Sequence, residues 1–202
     1  MIRIEKQTNR QAIFDRLESF SVDVPPLPVL DTDTLTTFDD PIGQFTQMLE
    51  FVGGEAHLVQ SVAEMQRILA NIPVFAQAHR IASVIDGIES TIHADELDDP
   101  HGLSKLDWTV AMGEFAVAEN GSIWINGNTL PHRVMLFIAQ YLAIAVSRSQ
   151  FVSNMHEAYQ RIGTPPQGFG VFVSGPSKTA DIEQSLVLGA HGCRKLQVFL
   201  LP

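Results

Sequence analysis

The sequence contains one cysteine, Cys193, among its 202 residues. A single thiol cannot form a disulfide within the chain. It also cannot supply the several thiolates that a cysteine-ligated zinc site or an iron–sulfur cluster requires. We therefore expect no disulfide, no metal centre and no other cofactor bound by this chain alone.

Positive charge is also scarce, since 13 Lys and Arg residues stand against 23 Asp and Glu residues for a formal net charge of -10. The two basic groups are small and isolated: Arg3, Lys6 and Arg10 in one, Arg194 and Lys195 in the other. Because basic residues supply most non-specific affinity for nucleic acids, we expect no nucleic acid among the partners.

Long apolar segments are absent as well. The longest, residues 134–146, is interrupted by Gln140 and is shorter than the roughly 20 residues that span a bilayer. The first ten residues are charged and polar, without the apolar core of a signal peptide. We expect a cytoplasmic protein that does not insert into membranes.

The N-terminal part differs from the rest in pattern. Ile13, Phe14, Leu17 and Phe20 recur at helical spacing, and residues 21–41 are rich in proline and acidic residues without a clear period. We predict a helix with a proline-rich arm over residues 1–42 and one α/β domain over 43–202. The arm would bind either its own domain or a second copy, so a homo-oligomer is one expected assembly.

Within residues 43–202, helical stripes alternate with short strands rich in β-branched residues. Ser61 with Glu64 predicts a capped helix start, and Asn120-Gly121 between two apolar runs predicts a hairpin. This alternation predicts an α/β fold with a mostly parallel, Rossmann-like sheet, helices on both faces and hairpin additions.

Three segments carry a resemblance to a known family. Residues 113–125 read GEFAVAENGSIWI, residues 173–183 read VSGPSKTADIE, and residues 188–201 read LGAHGCRKLQVFLL. They resemble the LUD domain of the lactate utilization protein C family. The resemblance implies a fold of the NagB/RpiA/coenzyme A transferase-like group.

The resemblance also implies a function and partners. It suggests a component of bacterial L-lactate utilization, in which an iron–sulfur protein assembly oxidises lactate to pyruvate. The partners would be the iron–sulfur subunits. Because this chain has one cysteine, we expect it to be a non-redox subunit or accessory protein.

A Ser-Gly-Pro-Ser loop follows the apolar run Val171–Val173. It offers hydroxyls, a lysine and a backbone amide at the glycine, which suit a small anionic or nucleotide-like ligand. The carboxylates that follow could orient the lysine or transfer protons. The alternative is an ordinary turn in which Thr179 caps a helix. The candidate ligand-binding residues here are Ser174, Gly175, Ser177, Lys178, Thr179, Asp181 and Glu183.

Glu119-Asn120-Gly121 has two interpretations. A tight hairpin selects Asn-Gly by itself, so Asn120 and Gly121 need no ligand to explain them, although we keep both as ligand-binding candidates. Glu119 is not required by the turn. The tripeptide is similar to the Glu-Asn-Gly motif of coenzyme A transferases, whose glutamate is acylated. A stand-alone acyl or coenzyme A transferase with Glu119 as its catalytic nucleophile is therefore the alternative function.

The turn containing His191 and Arg194 is a further candidate for binding an anion, and Cys193 stands where the family usually has proline. With Val171–Val173 taken as a central strand, the loop after it, Glu119 and His191 should converge at the carboxyl ends of the parallel strands.

Residues 93–101, between His93 and His101, are rich in carboxylates and could be metal ligands. Their spacing fits no established metal loop, and acidic segments with proline are usually solvated turns. We therefore predict no metal site there. By the same family resemblance, His132, after Pro131, is a weaker candidate for binding the anionic ligand expected of His191 and Arg194.

Overall fold

The computed structural model describes residues 3–20, 25–26, 28–29, 31–163, 168–179, 187–188 and 192–202. The chain divides into two compact units, Met1–Thr34 and Leu35–Pro202. The first contains helix α1 (Arg3–Glu18) and a 3₁₀ turn at Thr32–Thr34. Our division of the chain at residue 42, a prediction about its functional parts, remains a prediction.

The second unit contains the other helices and the strands. Its helices are α2 (Pro41–Phe51), α3 (Val62–Asn71), α4 (Pro73–Ala76), α5 (Met135–Ile138) and α6 (Met155–Ile162). Its strands are β1 (Glu55–Leu58), β2 (Ile81–Ser83), β3 (Trp108–Met112), β4 (Phe115–Val117), β5 (Ser122–Asn126), β6 (Tyr141–Ser147), β7 (Phe151–Val152), β8 (Gly170–Val173), β9 (Lys178–Thr179), β10 (Val187–Leu188) and β11 (Lys195–Leu201).

The central layer is a five-stranded sheet in the order β1-β11-β6-β3-β2. Every pairing in it is parallel, and β11 and β6 pair along their full length from Lys195 opposite Tyr141 to Leu201 opposite Ser147. Strands buried on both faces need apolar residues at nearly every position, which explains the apolar sequences of β6 and β11.

Helices cover both faces of this sheet. On one face, Met65 and Leu69 of α3 and Phe75 of α4 belong to the same core cluster as Trp108 and Phe199 of the strands. The other face packs against α2, α5 and a second sheet. The predicted α/β class, with a mostly parallel sheet and helices on both faces, is confirmed.

The second sheet has four strands in the order β7-β4-β5-β8. Strands β4 and β5 form the predicted antiparallel hairpin, with Gly121 at φ 65° in its turn. The expectation that Val171–Val173 is a central parallel strand is wrong: β8 pairs antiparallel with β5 at the edge of this second sheet. A short apolar segment fits either position, and only its partner, some 50 residues earlier in the chain, decides between them.

Sequence signals within a few residues predicted local structure better than the sequence predicted strand pairing. The Ser61 Oγ accepts a hydrogen bond of 3.2 Å from the Glu64 backbone N–H at the start of α3. The Glu64 carboxylate in turn accepts one of 2.8 Å from the N–H of Gln60. Among the described residues, no helix has both the length and the apolar character needed to cross a bilayer.

Candidate functional site

The structure brings three of the predicted loops into contact. The Ser174 hydroxyl donates a hydrogen bond of 2.9 Å to the backbone oxygen of Asn120 in the β4–β5 turn. The Ser177 N–H donates one of 2.8 Å to the backbone oxygen of Cys193, next to Arg194. Residues 174–177 therefore lie between the hairpin turn and the turn before β11; we call these three segments the amino-edge cluster.

The amino-edge cluster lies where the parallel strands begin. Pro176 and Arg194 line a cavity of about 320 Å³ together with Gly53 and Gly54, which precede β1, and Lys195, which opens β11. The expectation that these loops meet at the carboxyl ends of the strands is therefore wrong. The cause is the position of β8: as a strand of the second sheet, it sends its following loop to the opposite edge.

Close backbone contacts dominate this cluster. Gly175 has φ +71°, and a Cβ there would lie 2.6 Å from the backbone oxygen of Val52. Asn120 uses its side-chain oxygen to accept from the N–H and hydroxyl of Ser122, at 3.1 and 2.7 Å. Tight turns therefore explain why glycine stands at 175 and asparagine at 120, because these residue types favour such backbone conformations.

The remaining ligand-binding candidates from the sequence differ in what the structure shows of them. Lys178 and Arg194 are exposed, and no described carboxylate lies within ion-pair distance of either. Thr179 lies in β9 and pairs with Val187. The helix that Thr179 would cap falls on residues 180–186, which lie outside the described residues, so this alternative stays open. The positions of Asp181, Glu183 and His191 lie outside the described residues, and their ligand-binding roles stay predictions.

Glu119 has a structural partner. Its Oε1 accepts a hydrogen bond of 2.9 Å from the Met155 N–H at the first residue of α6. Asn154 caps the same helix by accepting 3.0 Å from Glu157 N–H. A carboxylate at a helix N-terminus satisfies an otherwise unpaired N–H and interacts favourably with the helix dipole, so the position calls for Glu without any covalent chemistry.

Cys193 is buried, and two residues of the acidic segment are hydrogen-bonded to each other. Burial raises the pKa of the Cys193 thiol, which disfavours the reactive thiolate. Asp99 accepts from the backbone N–H of His101, and this bond, with a second from the His101 ring, lowers the pKa of Asp99. His132 Nε2 bonds to the backbone oxygen of Leu97 at 2.7 Å. Within the described ranges, no group of three or more His, Cys, Asp or Glu side chains is placed to hold a metal ion.

The opposite edge of the parallel sheet carries open space. Strand β3 ends at Met112, and the chain then passes through Gly113 and Glu114 into the second sheet. A cavity of about 240 Å³ begins there at Glu114 and extends between helix α6 and the second sheet. Charged and polar side chains and two aromatic rings line it: Glu114, Trp124, Asn126, Asn128, Arg161 and Phe169. An adjoining cavity of about 330 Å³ shares Glu114 and Asn126 with it. We call this pair of cavities the carboxyl-edge groove.

The charges in the carboxyl-edge groove are not paired with each other. Glu114 is exposed, and within the described part of the chain its carboxylate has neither a hydrogen bond nor an ion pair. Arg161 donates to the Gln150 side chain, and its guanidinium carbon lies 4.7 Å from the centre of the Phe115 ring. Asn126 accepts 3.0 Å from the Asn128 N–H.

Sequence reasoning missed these residues. Glu114 lies within residues 113–125, which carry the family resemblance, and Asn126 and Asn128 follow that segment directly, whereas Arg161 is distant in the chain. No motif spacing joins the four residues. One signal was present: Glu114 follows a predicted parallel strand directly, and ligands of parallel sheets bind beyond the carboxyl ends of the strands. The fold and groove together define an α/β protein with open, charge-lined cavities beyond β3.

Comparisons with known proteins identify the family. The LUD domain model matches residues 101–201. Lactate utilization protein C of Bacillus pumilus is 30% identical over 91 residues, 42% of this chain and 38% of that protein. The aligned part thus spans well under half of that relative. A lactate utilization protein C of Deinococcus radiodurans is 25% identical over 201 residues, 96% of this chain and 91% of that protein.

A solved structure supports the fold. The crystal structure of a DUF162 family protein from Deinococcus radiodurans has a TM-score of 0.60 and 20% identity, and the match covers 81% of this chain and 97% of that one. At this identity the likeness concerns the fold alone. With half of its length matched by the family model, the chain belongs to the LUD domain family.

Proposed function

We propose that the chain is a component of bacterial L-lactate utilization that carries no redox centre of its own. The observation that carries this proposal is the alignment with the Deinococcus radiodurans lactate utilization protein C, which extends over 96% of the chain. An alignment of that extent takes in the five-stranded and four-stranded sheets of the second unit rather than one motif.

The proposed partners are iron–sulfur protein subunits that oxidise lactate to pyruvate. The single cysteine supports this division of labour, since cluster ligation by cysteines needs several thiolates. Cys193 is 5% exposed and burial raises its thiol pKa, so it is poorly suited to contribute even one ligand. The chain would then act by binding a small anionic ligand or by positioning its partners.

The transferase alternative has less support. It requires the Glu119 carboxylate to attack an acyl group, whereas Glu119 Oε1 is bonded to the N-terminus of α6 at 2.9 Å. No contact of the described residues favours acyl transfer over this structural role.

Gene deletion tests the proposed function. A strain lacking the gene should fail to grow on L-lactate as sole carbon source and should grow normally on pyruvate, because the proposed defect precedes pyruvate. The intact gene should restore growth on lactate. Equal growth of the deletion and parent strains on L-lactate would reject the proposal, and loss of growth on both carbon sources would place the defect elsewhere.

A further inference from the structure

The carboxyl-edge groove contains two opposite charges that line one cavity without contacting each other. Glu114 and Arg161 both border the cavity of about 240 Å³, and no ion pair joins them among the described residues. In a folded protein, neighbouring opposite charges that are not paired leave each group able to bind a ligand. The space between them is the feature to explain.

We propose that this groove binds a small organic acid that carries a hydrogen-bond donor next to its carboxylate. Arg161 binds the carboxylate and Glu114 accepts from the donor, which is a hydroxyl or an ammonium group. The inference rests on the proposed function only for the choice of L-lactate among the probes below.

Arg161 is prepared for this role by its surroundings. The guanidinium donates to Gln150 and lies over the Phe115 ring, with 4.7 Å between the guanidinium carbon and the ring centre. These contacts restrict its position, and among the described residues they use only part of its five N–H donors. Planar N–H donors match a carboxylate in geometry and charge.

Glu114 supplies the complementary group. An ionised carboxylate only accepts hydrogen bonds, so it selects ligands that present a donor and repels a second anionic group. Glu114 is fixed by its backbone, whose N–H donates 2.8 Å to the oxygen of Trp124. Asn126 and Asn128, which line the same cavity, add carboxamide groups that both donate and accept.

The size of the cavity limits the ligand. About 240 Å³ is below the range of roughly 300–1,000 Å³ typical of pockets for drug-sized molecules. A side chain at position 170 would displace the Trp124 ring that lines this cavity, because that ring lies 2.3 Å from where a Gly170 Cβ would be. An acid of a few heavy atoms fits a cavity of this size.

Calorimetric titration of the full chain with three acids of one carbon skeleton tests the proposal. The probes are propionate, L-lactate and L-alanine, which carry no donor, a hydroxyl and an ammonium group. At least one of the latter two should bind ~10-fold or more tightly than propionate, because a hydrogen bond to a charged group is worth that much. Whichever of L-lactate and L-alanine binds more tightly shows whether the donor is a hydroxyl or an ammonium group.

Variants assign the roles. Arg161→Gln should weaken binding of the preferred acid at least ~10-fold, and Glu114→Ala should abolish the preference over propionate. Lys178→Ala and Arg194→Ala, which remove the exposed cations of the amino-edge cluster, should bind like the parent. Thermal unfolding of each variant verifies that it is folded.

Equal binding of all three acids, no binding of any, or loss of binding in Lys178→Ala or Arg194→Ala but not in Arg161→Gln would overturn the proposal. The outcome is separate from that of gene deletion. Selective binding together with unimpaired growth on L-lactate would reject the proposed function alone. Impaired growth without binding of any probe would reject the groove alone.

Discussion

The two edges of the parallel sheet use polar residues in opposite ways. At the amino edge, Ser174, Asn120 and Ser177 hydrogen-bond to one another's segments and to Cys193, and glycines fit against backbone. At the carboxyl edge, Glu114 and Arg161 border open space without pairing. The residues that look like a motif therefore lie where the chain must turn tightly, and the open, charge-lined space lies at the other edge of the sheet.

The strongest way to test the structural role of the amino edge is to add one methyl group. Gly175→Ala should lower the free energy of unfolding by about 2–4 kcal/mol, because it combines a positive φ with a Cβ 2.6 Å from the Val52 oxygen. Urea unfolding measures the change.

Gly163→Ala is the matched control for that substitution. Gly163 has a similar φ of +62°, and no described atom lies within 4 Å of an added Cβ. With its ψ of -142° this is a conformation that L residues avoid, so we expect a cost of about 1–3 kcal/mol from backbone strain alone. Equal costs at the two positions would show that the 174–177 loop is not closely packed against the turn before β1.

Thiol reactivity tests the same packing without a substitution. Burial raises the pKa of Cys193 above its ordinary value of 9.0, so the folded protein holds less thiolate than the unfolded chain at pH 8. We expect an aromatic disulfide reagent to modify the folded protein at least ~10-fold more slowly than the protein in urea. Equal rates would contradict the burial of this turn.

The raised pKa of Cys193 also sets a sign for the pH dependence. The folded state holds the thiol proton more strongly than the unfolded chain. Its contribution to stability is therefore complete below pH 9.0 and is lost as the pH rises through the higher folded value. Cys193→Ser should remove this part of the alkaline loss of stability.

A smaller effect separates the two glutamates. Glu119→Ala should cost about 1 kcal/mol of stability, as loss of a helix-terminal acceptor does, and Glu119→Gln should cost less because the amide oxygen still accepts from Met155 N–H. Glu114→Ala, which removes no described contact, should change stability by less than ~0.5 kcal/mol. Thermal unfolding compares the three variants.

Acyl transfer by Glu119 predicts a different effect of the Glu119→Ala and Glu119→Gln substitutions. A catalytic nucleophile at Glu119 would be lost equally in the Ala and Gln variants, and the parent would form a hydroxylamine-sensitive adduct with an acyl-coenzyme A. Absence of the adduct, with the graded stability loss, is the result that the structure leads us to expect.

The sequence predicted elements that depend on local chemistry. The Ser61–Glu64 cap and the Asn120-Gly121 hairpin both follow from side chains and φ preferences within a few residues, and both are confirmed. The alternation of apolar strands and helices was enough for the α/β class.

What the sequence could not supply was pairing between distant segments. Gly170–Val173 is apolar enough for a central parallel strand, yet it pairs with β5 in the second sheet. Because of this one error in pairing, the sequence-based prediction placed the 174–179 loop at the carboxyl edge of the parallel sheet, whereas it lies at the amino edge. The groove residues share no motif: Glu114 precedes β4, Asn126 ends β5 and Arg161 lies in α6. They meet only because α6 packs on the second sheet. Position after a strand was the one available signal.

The central claim is that the ligand edge of this domain lies beyond β3 rather than at the Ser174–Thr179 loop. An amide NMR titration of the ¹⁵N-labelled full chain with L-lactate, and with L-alanine if it binds more tightly, tests it most directly. We expect the largest shift changes at Glu114, Asn126 and Asn128, with Gly175, Ser177 and Arg194 unchanged. Changes confined to Gly175, Ser177 and Arg194 would contradict the claim and return the site to the amino edge.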